Sequence, residues 1–399
     1  MSEPSQKPGA LARRVKQHIK GRSHRFFAVC HPGFEETSRL ELESLGIKEI
    51  LEVTTGGILF KGKIEDCYRV NLMARTVTRL LLRVTSFNVL NFSTLKDLIA
   101  EIPWELYLNP ETSFSFSITA RKSRLYHTDR VEEEVRSGLA ERLRQFSKPV
   151  KGRETGPRQQ IFIRLYRDRC TVSLDSSGEL LYRRGQRVNV NEAPLRETRA
   201  AAILQAAHFL KYESIIDPMC GSGTFTIEGA DMARGKAAGA SRNFTFEQWP
   251  VFSRPAFLHL KKSIAETVDS TVKLPQFFAS DIDEKSLEAA QENLSRANLG
   301  EKVSITQKDF FEPETDRDFK LPSLILLNPP YGKRLETGNV EGLYRRIGTM
   351  ISSHYKDYGF AIIVPGPEAE KALGCAFDRK ITFKQGGIPV ALLIKDAFK

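Results

Sequence analysis

Apolar positions fall into two regimes along this chain. Between Phe26 and Leu174 they come in short runs separated by turn residues. Phe26-Phe27-Ala28-Val29 reads as a strand, Glu35 to Leu45 as a helix closed by Gly46, and Glu49 to Val53 as a second strand. Gly56-Gly57 turns the chain into strand Ile58 to Phe60, and Ile64 to Ala74 has helical period. This alternation predicts a small α+β unit of ferredoxin-like character. The next stretch predicts strand Arg79 to Val84, helix Thr94 to Glu101 and strand Ser113 to Thr119, with Phe114, Phe116 and Ile118 on one face. Helix His127 to Phe146 and strands Ile161 to Leu165 and Cys170 to Leu174 follow, around a Lys/Gly/Pro/Arg loop over Lys148 to Arg158. Phe114, Phe116 and Phe146 are expected in the core. Residues 1–24 show little apolar periodicity and are expected to form a flexible basic arm.

After Arg187 the pattern changes. An Ala-rich helix from about Pro194 to Phe209 leads into strand Ser214 to Ile216. Strands Phe277 to Ser280, Val303 to Thr306 and Leu324 to Leu327 then alternate with helical segments. The last is continuously apolar, as a strand buried on both faces must be. The expected architecture is α/β with a mainly parallel sheet. Residues Gly235 to Pro275 interrupt it as an insertion carrying Trp249, with no function legible in it.

At 399 residues, with 41% apolar residues, the chain is long enough for two or three domains. It holds no run long enough for a membrane span and no signal-peptide core at its N-terminus. Its five cysteines are scattered, which points to a reducing cytoplasm and away from a zinc ribbon or iron–sulfur site. The net charge of +11 is unevenly placed. Residues 1–25 carry seven Lys/Arg against one acid, and residues 121–187 carry seventeen against nine. Such clustering suits a polyanion such as nucleic acid.

The candidate chemistry gathers at predicted strand ends, where ligands bind in open α/β sheets. Gly221-Ser222-Gly223 lies in a strand–turn–helix setting, and the Walker form is absent because no Lys-Ser/Thr follows. Asp217 precedes that turn and could pair with an ammonium. Asp281 ends the next strand, where ribose hydroxyls are held in dinucleotide folds, and Asp283 reads as a helix N-cap. Asp309 follows the third strand. Asn328-Pro329-Pro330-Tyr331 follows the fourth. An Asn side-chain oxygen and a proline-turn carbonyl could hold both hydrogens of an exocyclic amino group, while Tyr331 stacks on its base.

These segments carry a resemblance. Asp-Pro-Met-Cys-Gly-Ser-Gly-Thr at 217–224, Ser-Asp-Ile-Asp at 280–283 and Asn-Pro-Pro-Tyr-Gly-Lys-Arg-Leu at 328–335 resemble S-adenosylmethionine-dependent RNA methyltransferases that carry a THUMP domain. The nearest likeness is to the bacterial 23S rRNA guanine-N2 methyltransferase group, once described as N6-adenine DNA methylases. Tyr68 to Arg75 with Arg79-Leu80-Leu81 resembles that family's passage into THUMP. Arg183 to Arg187 and Ala193 to Glu197 resemble its entry to the catalytic domain. The resemblance implies a Rossmann-like class I methyltransferase domain preceded by ferredoxin-like and THUMP domains. The implied division is a flexible arm at 1–24, a ferredoxin-like subdomain at 25–70, THUMP at 71–185 and the catalytic domain at 186–399. The second methyltransferase fused in some relatives is not expected, since the sequence ends after Ile388 to Phe398.

The same resemblance implies site roles. Asp217, Gly221 and Gly223 would hold the methionine end of S-adenosyl-L-methionine, Asp281 the ribose and Asp309 the adenine, with Pro218, Cys220, Thr224 and Asn328 also binding the cofactor. Asn328, with Pro329 and Pro330, would orient the target amine, and Tyr331 would stack on a flipped base. RNA phosphates are expected at Arg121, Lys122, Arg124, His127, Arg164 and Arg167. A monomeric cytoplasmic enzyme acting on large-subunit rRNA is expected, with no metal and no membrane. The alternatives are an adenine-N6 DNA or RNA methylase, and a catalytically silent RNA-binding assembly factor.

Overall fold

The computed structural model describes residues 8–109, 112–144, 158–184, 195–266, 274–312, 319–330 and 339–398. The first elements are α1 (Pro8–His18), β1 (His24–Cys30), α2 (Glu35–Ser44), β2 (Glu49–Thr54), β3 (Gly57–Gly62), α3 (Ile64–Met73), β4 (Val77–Asn88), α4 (Phe92–Glu101), β5 (Ser113–Arg121), α5 (Thr128–Arg144), β6 (Arg158–Tyr166) and β7 (Arg169–Asp175). There follow α6 (Glu197–Ala206), β8 (Ser214–Asp217), α7 (Thr224–Ala233), α8 (Arg254–Glu266), β9 (Gln276–Asp281), α9 (Glu284–Arg296), β10 (Val303–Gln307), β11 (Ser323–Leu327), α10 (Val340–His354), β12 (Gly359–Val364), α11 (Gly366–Leu373), β13 (Arg379–Gln385) and β14 (Ile388–Lys395).

These elements form two compact units, neither contiguous in sequence. The first comprises Met1–Val29, Glu41–Leu181 and Arg242–Lys262, and the second Cys30–Leu40, Tyr182–Ser241 and Ser263–Lys399. In the first unit, seven strands make one sheet in the order β2-β3-β1-β4-β7-β6-β5. The ferredoxin-like and THUMP elements therefore share a sheet through β4, and the boundary expected at residue 70 falls inside α3.

Three expectations for this unit need correction. Part of the basic arm is helical: α1 begins at Pro8, whose fixed φ suits a first helical turn, and Val15 and Ile19 are buried. Leu11, Val15 and Ile19 keep a four-residue spacing that the surrounding cations obscure in the sequence. Phe114 and Phe116 are half-buried on edge strand β5, with the Arg136 guanidinium 4.8 Å from the Phe116 ring; Phe146 lies outside the described residues. Finally, residues 242–262 of the expected insertion belong to this unit. Phe246 stacks on Tyr68 of α3 at 4.8 Å, Phe252 and Phe257 pack edge-on to the same ring, and buried Trp249 donates Nε1 to Gln159 Oε1 at 2.8 Å.

In the second unit the sheet order is β10-β9-β8-β11-β12-β14-β13. The first five strands are parallel and β14 runs antiparallel to β12 and β13. Every residue of β11 is buried. Leu324 and Leu326 pack in the core with α6, α7 and α9, while Ile325 and Leu327 pack on the other face with Tyr344, Ile347 and Ile351 of α10. That two-sided burial explains the unbroken apolar run; each such side chain contributes roughly 1.5–3 kcal/mol. The chain order reverses at β8, between β9 on one side and β11 on the other, so the crevice of the fold opens beyond the ends of these strands.

Gln159 is buried and its Oε1 depends on Trp249. Trp249→Phe keeps the ring but orphans that acceptor, so the first unit should lose about 1–3 kcal/mol of stability. Denaturant unfolding followed by circular dichroism measures the loss.

Candidate functional site

β8 ends in Asp217 and the chain turns back through Pro218 to Gly223 before entering α7 at Thr224. Gly221 and Gly223 sit at φ +53° and +79°, the left-handed region that a side chain would strain. The turn is tied to the neighbouring strand and helix at three points. Cys220 N–H donates to the Ser280 carbonyl at 3.0 Å, Gly221 N–H to Asp281 Oδ2 at 2.8 Å, and Asn293 of α9 donates Nδ2 to the Ser222 carbonyl at 3.2 Å. Asp281 Oδ1 also accepts the Asp283 N–H at 3.0 Å. An ionised carboxylate offers about four acceptor positions, so two remain for ligand hydroxyls. Asp283 caps α9 as expected, accepting from Ser286 N–H at 2.9 Å.

Asp217 faces inward. It is 2% exposed, accepts the Thr226 hydroxyl on Oδ2 at 2.9 Å, and burial pushes its carboxyl up to about 7, with the Asp281 charge adding to the rise. Cys220 is buried with its thiol pushed up by the same desolvation, and Thr224 is buried at the first turn of α7. Asp309 follows β10 and accepts the Phe311 N–H on Oδ1 at 2.9 Å, closing its own turn. A cavity of about 410 Å³ adjoins these strand ends, lined in part by Pro218, Ser280, Thr306, Lys308 and Phe310.

At the end of β11, Asn328 Oδ1 is buried with no hydrogen-bond partner among the described residues. Pro329 is buried and Pro330 half-buried beside it; Tyr331 lies outside the described residues. A buried amide oxygen left without a donor costs about 1–3 kcal/mol and gains when a donor arrives. The four strand tips thus bring together Asp217, the glycine turn, Asp281, Asp309 and Asn328. Thr226 and Asn293 were not legible as members of this site in the sequence, because their helical positions carry no motif.

In the first unit, the expected RNA-binding residues gather although they come from distant stretches. Arg124 N–H donates to Asp168 Oδ1 at 2.7 Å, Asp168 N–H to Ser123 Oγ at 3.0 Å, and Arg167 N–H to the Arg121 carbonyl at 3.3 Å. The loop after β5 and the β6–β7 turn are laced together, presenting Arg121, Lys122, Arg124, His127, Arg164 and Arg167 as exposed side chains.

Family models match three stretches: an RMKL-like methyltransferase domain over residues 184–393, an RlmL ferredoxin-like domain over 25–81 and a THUMP domain over 90–175. The first spans more than half of the chain. The chain belongs to the RMKL-like methyltransferase family. This family member is 31% identical over 389 residues to the ribosomal RNA large subunit methyltransferase K/L of Cellvibrio japonicus, covering 93% of this chain and 51% of that protein. It thus spans about half the length of the first curated relatives it matches. It is also 31% identical over 330 residues to a Bacillus subtilis protein named as an RNA methyltransferase, covering 82% of this chain and 84% of the other. A methyltransferase crystallised with SAH matches at TM-score 0.85 and 28% identity, covering 95% of this chain and 99% of that one. A Listeria monocytogenes protein named as an N6-adenine-specific DNA methylase matches at 0.83 and 25%, over 94% and 96%. The RMKL-like domain here is a class I methyltransferase fold, preceded by ferredoxin-like and THUMP domains.

The buried Asp217 gives this RMKL-like domain a pH signature. Its folded-state pKa near 7 lies above the ordinary 3.8. A carboxyl raised in this way contributes fully to folding below the unfolded value and loses that contribution as pH rises through the folded one. Asp217→Asn removes the titration, and each pH step of one between the two values corresponds to about 1.4 kcal/mol. The variant should melt higher than wild type near pH 8 and match it near pH 3, as read from thermal melts at the two pH values.

Proposed function

We propose that this chain transfers a methyl group from S-adenosyl-L-methionine to an exocyclic amine of RNA, and that the amine is guanine N2 of 23S ribosomal RNA. The observation that carries the reading is the donor-less Asn328 oxygen at the tip of β11, next to the switch point of the sheet. An exocyclic amine bears two hydrogens and would satisfy both Asn328 Oδ1 and the Pro329 carbonyl. Held so, its lone pair turns out of conjugation with the ring.

The residues present fit the cofactor. Asp217 and the backbone of Gly221 and Gly223 would take its methionine end, Asp281 its ribose and Asp309 its adenine. Pro218, Cys220 and Thr224 shape the turn around it. Bound there, the sulfonium supplies a methyl electrophilic enough to need no metal. Asn328 and the proline turn would hold the amine nitrogen in line with that methyl. The amine sheds its extra proton afterwards, and positioning is the main catalytic contribution of the chain. Pro330 stiffens the turn, and Tyr331 would stack on the extruded base.

RNA is favoured over DNA by the THUMP-domain match and by the exposed cations around the β6–β7 turn. Large-subunit rRNA is favoured by the relatives' names, guanine N2 over adenine N6 by the resemblance of the motifs at 217–224, 280–283 and 328–335 to the guanine-N2 group, and the intact strand-end residues argue against a silent assembly factor. The five cysteines, none in a disulfide, fit a reducing cytoplasm, where we place the protein as a monomer. No described helix is long and apolar enough to cross a membrane.

Asn328→Ala should remove turnover while S-adenosylhomocysteine still binds, measured by labelled methyl transfer and calorimetry; unchanged turnover overturns the mechanism. Mass-spectrometric mapping of 23S rRNA from a deletion strain should show one guanine lacking its N2-methyl, and loss of an N6-methyladenine would favour the other reading. Neutralising Arg121, Lys122 and Arg124 together should flatten the salt dependence of RNA binding, lowering its log–log slope by about two to three.

A further inference from the structure

The sheet of the first unit has one face packed in the core and a second that is exposed at its Arg121, Arg164, Tyr166 and Arg169 end and closes over buried Ser173 and Asp175 at the other. Ile161, Ile163 and Leu165 of β6 and Cys170, Val172 and Leu174 of β7 are buried on the first, the face α5 approaches through Arg136 and Phe116. The alternate positions form cross-strand rows on the second. One row runs Ser117, Phe162, Ser173, Arg83, and the next runs Thr119, Arg164, Thr171, Ser86. Beyond them lies Arg121, Tyr166, Arg169, Asn88. Phe27 of β1 joins the first row, its ring 4.5 Å from the Arg83 guanidinium. That ring lies against Gly57, where a Cβ would come within 2.3 Å of it, so only glycine lets it lie flat.

This face alternates rings with cations and lines them with small hydroxyls. Arg79 sits 5.3 Å over Phe162, and Arg164 and Arg167 each lie 5.4 Å from Tyr166. Asp175, paired with Leu81 on the row before the first, is taken by Arg79. Arg83 and Arg164 make no ion pair among the described residues: Arg83 donates to Ser173 Oγ at 2.9 Å, and Arg164 has its contact with Tyr166. Burial and the nearby Arg164 charge hold Arg83 down to about 10. Two neighbouring guanidiniums, one of them largely buried, repel each other and call for an anion.

We propose that this sheet face, against which no helix packs among the described residues, binds a single-stranded stretch of RNA, with Arg83 and Arg164 gripping a phosphate and Phe162 and Tyr166 stacking bases. The inference rests on the RNA reading above and deepens it. Phe162, Arg164 and Tyr166 occupy alternate positions of one strand, so ring, cation and ring stand about 6–7 Å apart in line. That order matches the base–phosphate–base alternation of an unstacked strand, and an A-form duplex hides its bases from such rings. Ser117, Thr119 and Thr171 are small enough to let a base lie between them and offer hydroxyls to its edges or to a ribose.

The test compares the full-length protein with Arg164→Gln, Phe162→Leu and Tyr166→Leu, the last two singly and together. Ligands are an unstructured single-stranded RNA and a duplex RNA of equal length. Each ring removed should weaken single-strand binding by at least about tenfold, while duplex binding stays within a factor of about two. Arg164→Gln should lower the salt slope by about one phosphate. Arg164 and Tyr166 are exposed, so these variants should fold, and melting curves and S-adenosylhomocysteine binding verify it. Wild-type affinity in the ring variants, or equal loss on both ligands, overturns the stacking surface. If wild type methylates RNA in that event, the proposed function stands and only the surface fails. If wild type neither binds nor methylates RNA, both fail.

Discussion

Asp281 is the carboxylate on which the carboxyl-terminal end of the parallel strands hangs. One oxygen takes the Gly221 N–H and the other the Asp283 N–H, so a single side chain fixes the loop after β8 and the start of α9. The Cys220 N–H to the Ser280 carbonyl and the Asn293 amide to the Ser222 carbonyl tie the same left-handed turn to its neighbours. Asp281 also raises the charge penalty on buried Asp217 and keeps lone pairs for ligand hydroxyls.

Much of this end of the molecule was legible in the sequence, for a physical reason. A strand buried on both faces must be apolar throughout, and a ligand at its tip must be met by whatever polar residue comes next. Leu324 to Leu327 followed by Asn328, and Phe277 to Ser280 followed by Asp281, follow from that rule directly. The inward aim of Asp217 was not legible, because it depends on Thr226, nine residues later and on a helix. Nor was the turn-closing bond of Asp309, which engages an oxygen that the sequence suggests is available to adenine.

In the first unit the sequence was a poorer guide wherever depth, rather than periodicity, decided. The alternation over Ser113 to Thr119 correctly assigned Phe114 and Phe116 to one face. Edge position leaves them half-buried, since β5 has a neighbour on one side only. The α1 pattern was hidden among cations, of which Arg13, Lys16 and Lys20 are exposed and Arg14 turns in to pair with buried Glu105. The aromatic run from Phe244 to Phe257 carried no sign of its destination, because Tyr68 is a ring on α3 far away in sequence. The open-face rows were hidden for a similar reason. Arg83, Ser173, Phe162 and Ser117 come from four strands, and a bulge between Arg83 and Thr85 shifts the register that brings them into line.

The placement of residues 242–262 in the first unit, and of residues 30–40 in the second, has a consequence for how this chain is made. As it leaves the ribosome, the seven-stranded sheet is complete by Asp175, yet Tyr68 and Gln159 wait for partners that lie far downstream, at Phe246 and Trp249. Those partners arrive only after the first strand of the other sheet and the glycine turn have been synthesised. The first unit therefore finishes folding while the second is already under way. For the same reason no cut near residue 184 yields two self-sufficient halves: a chain stopped there lacks Trp249, and one begun there lacks His31, hydrogen-bonded to Thr198, and Phe34, packed edge-on to Phe383. The two units are interleaved in sequence.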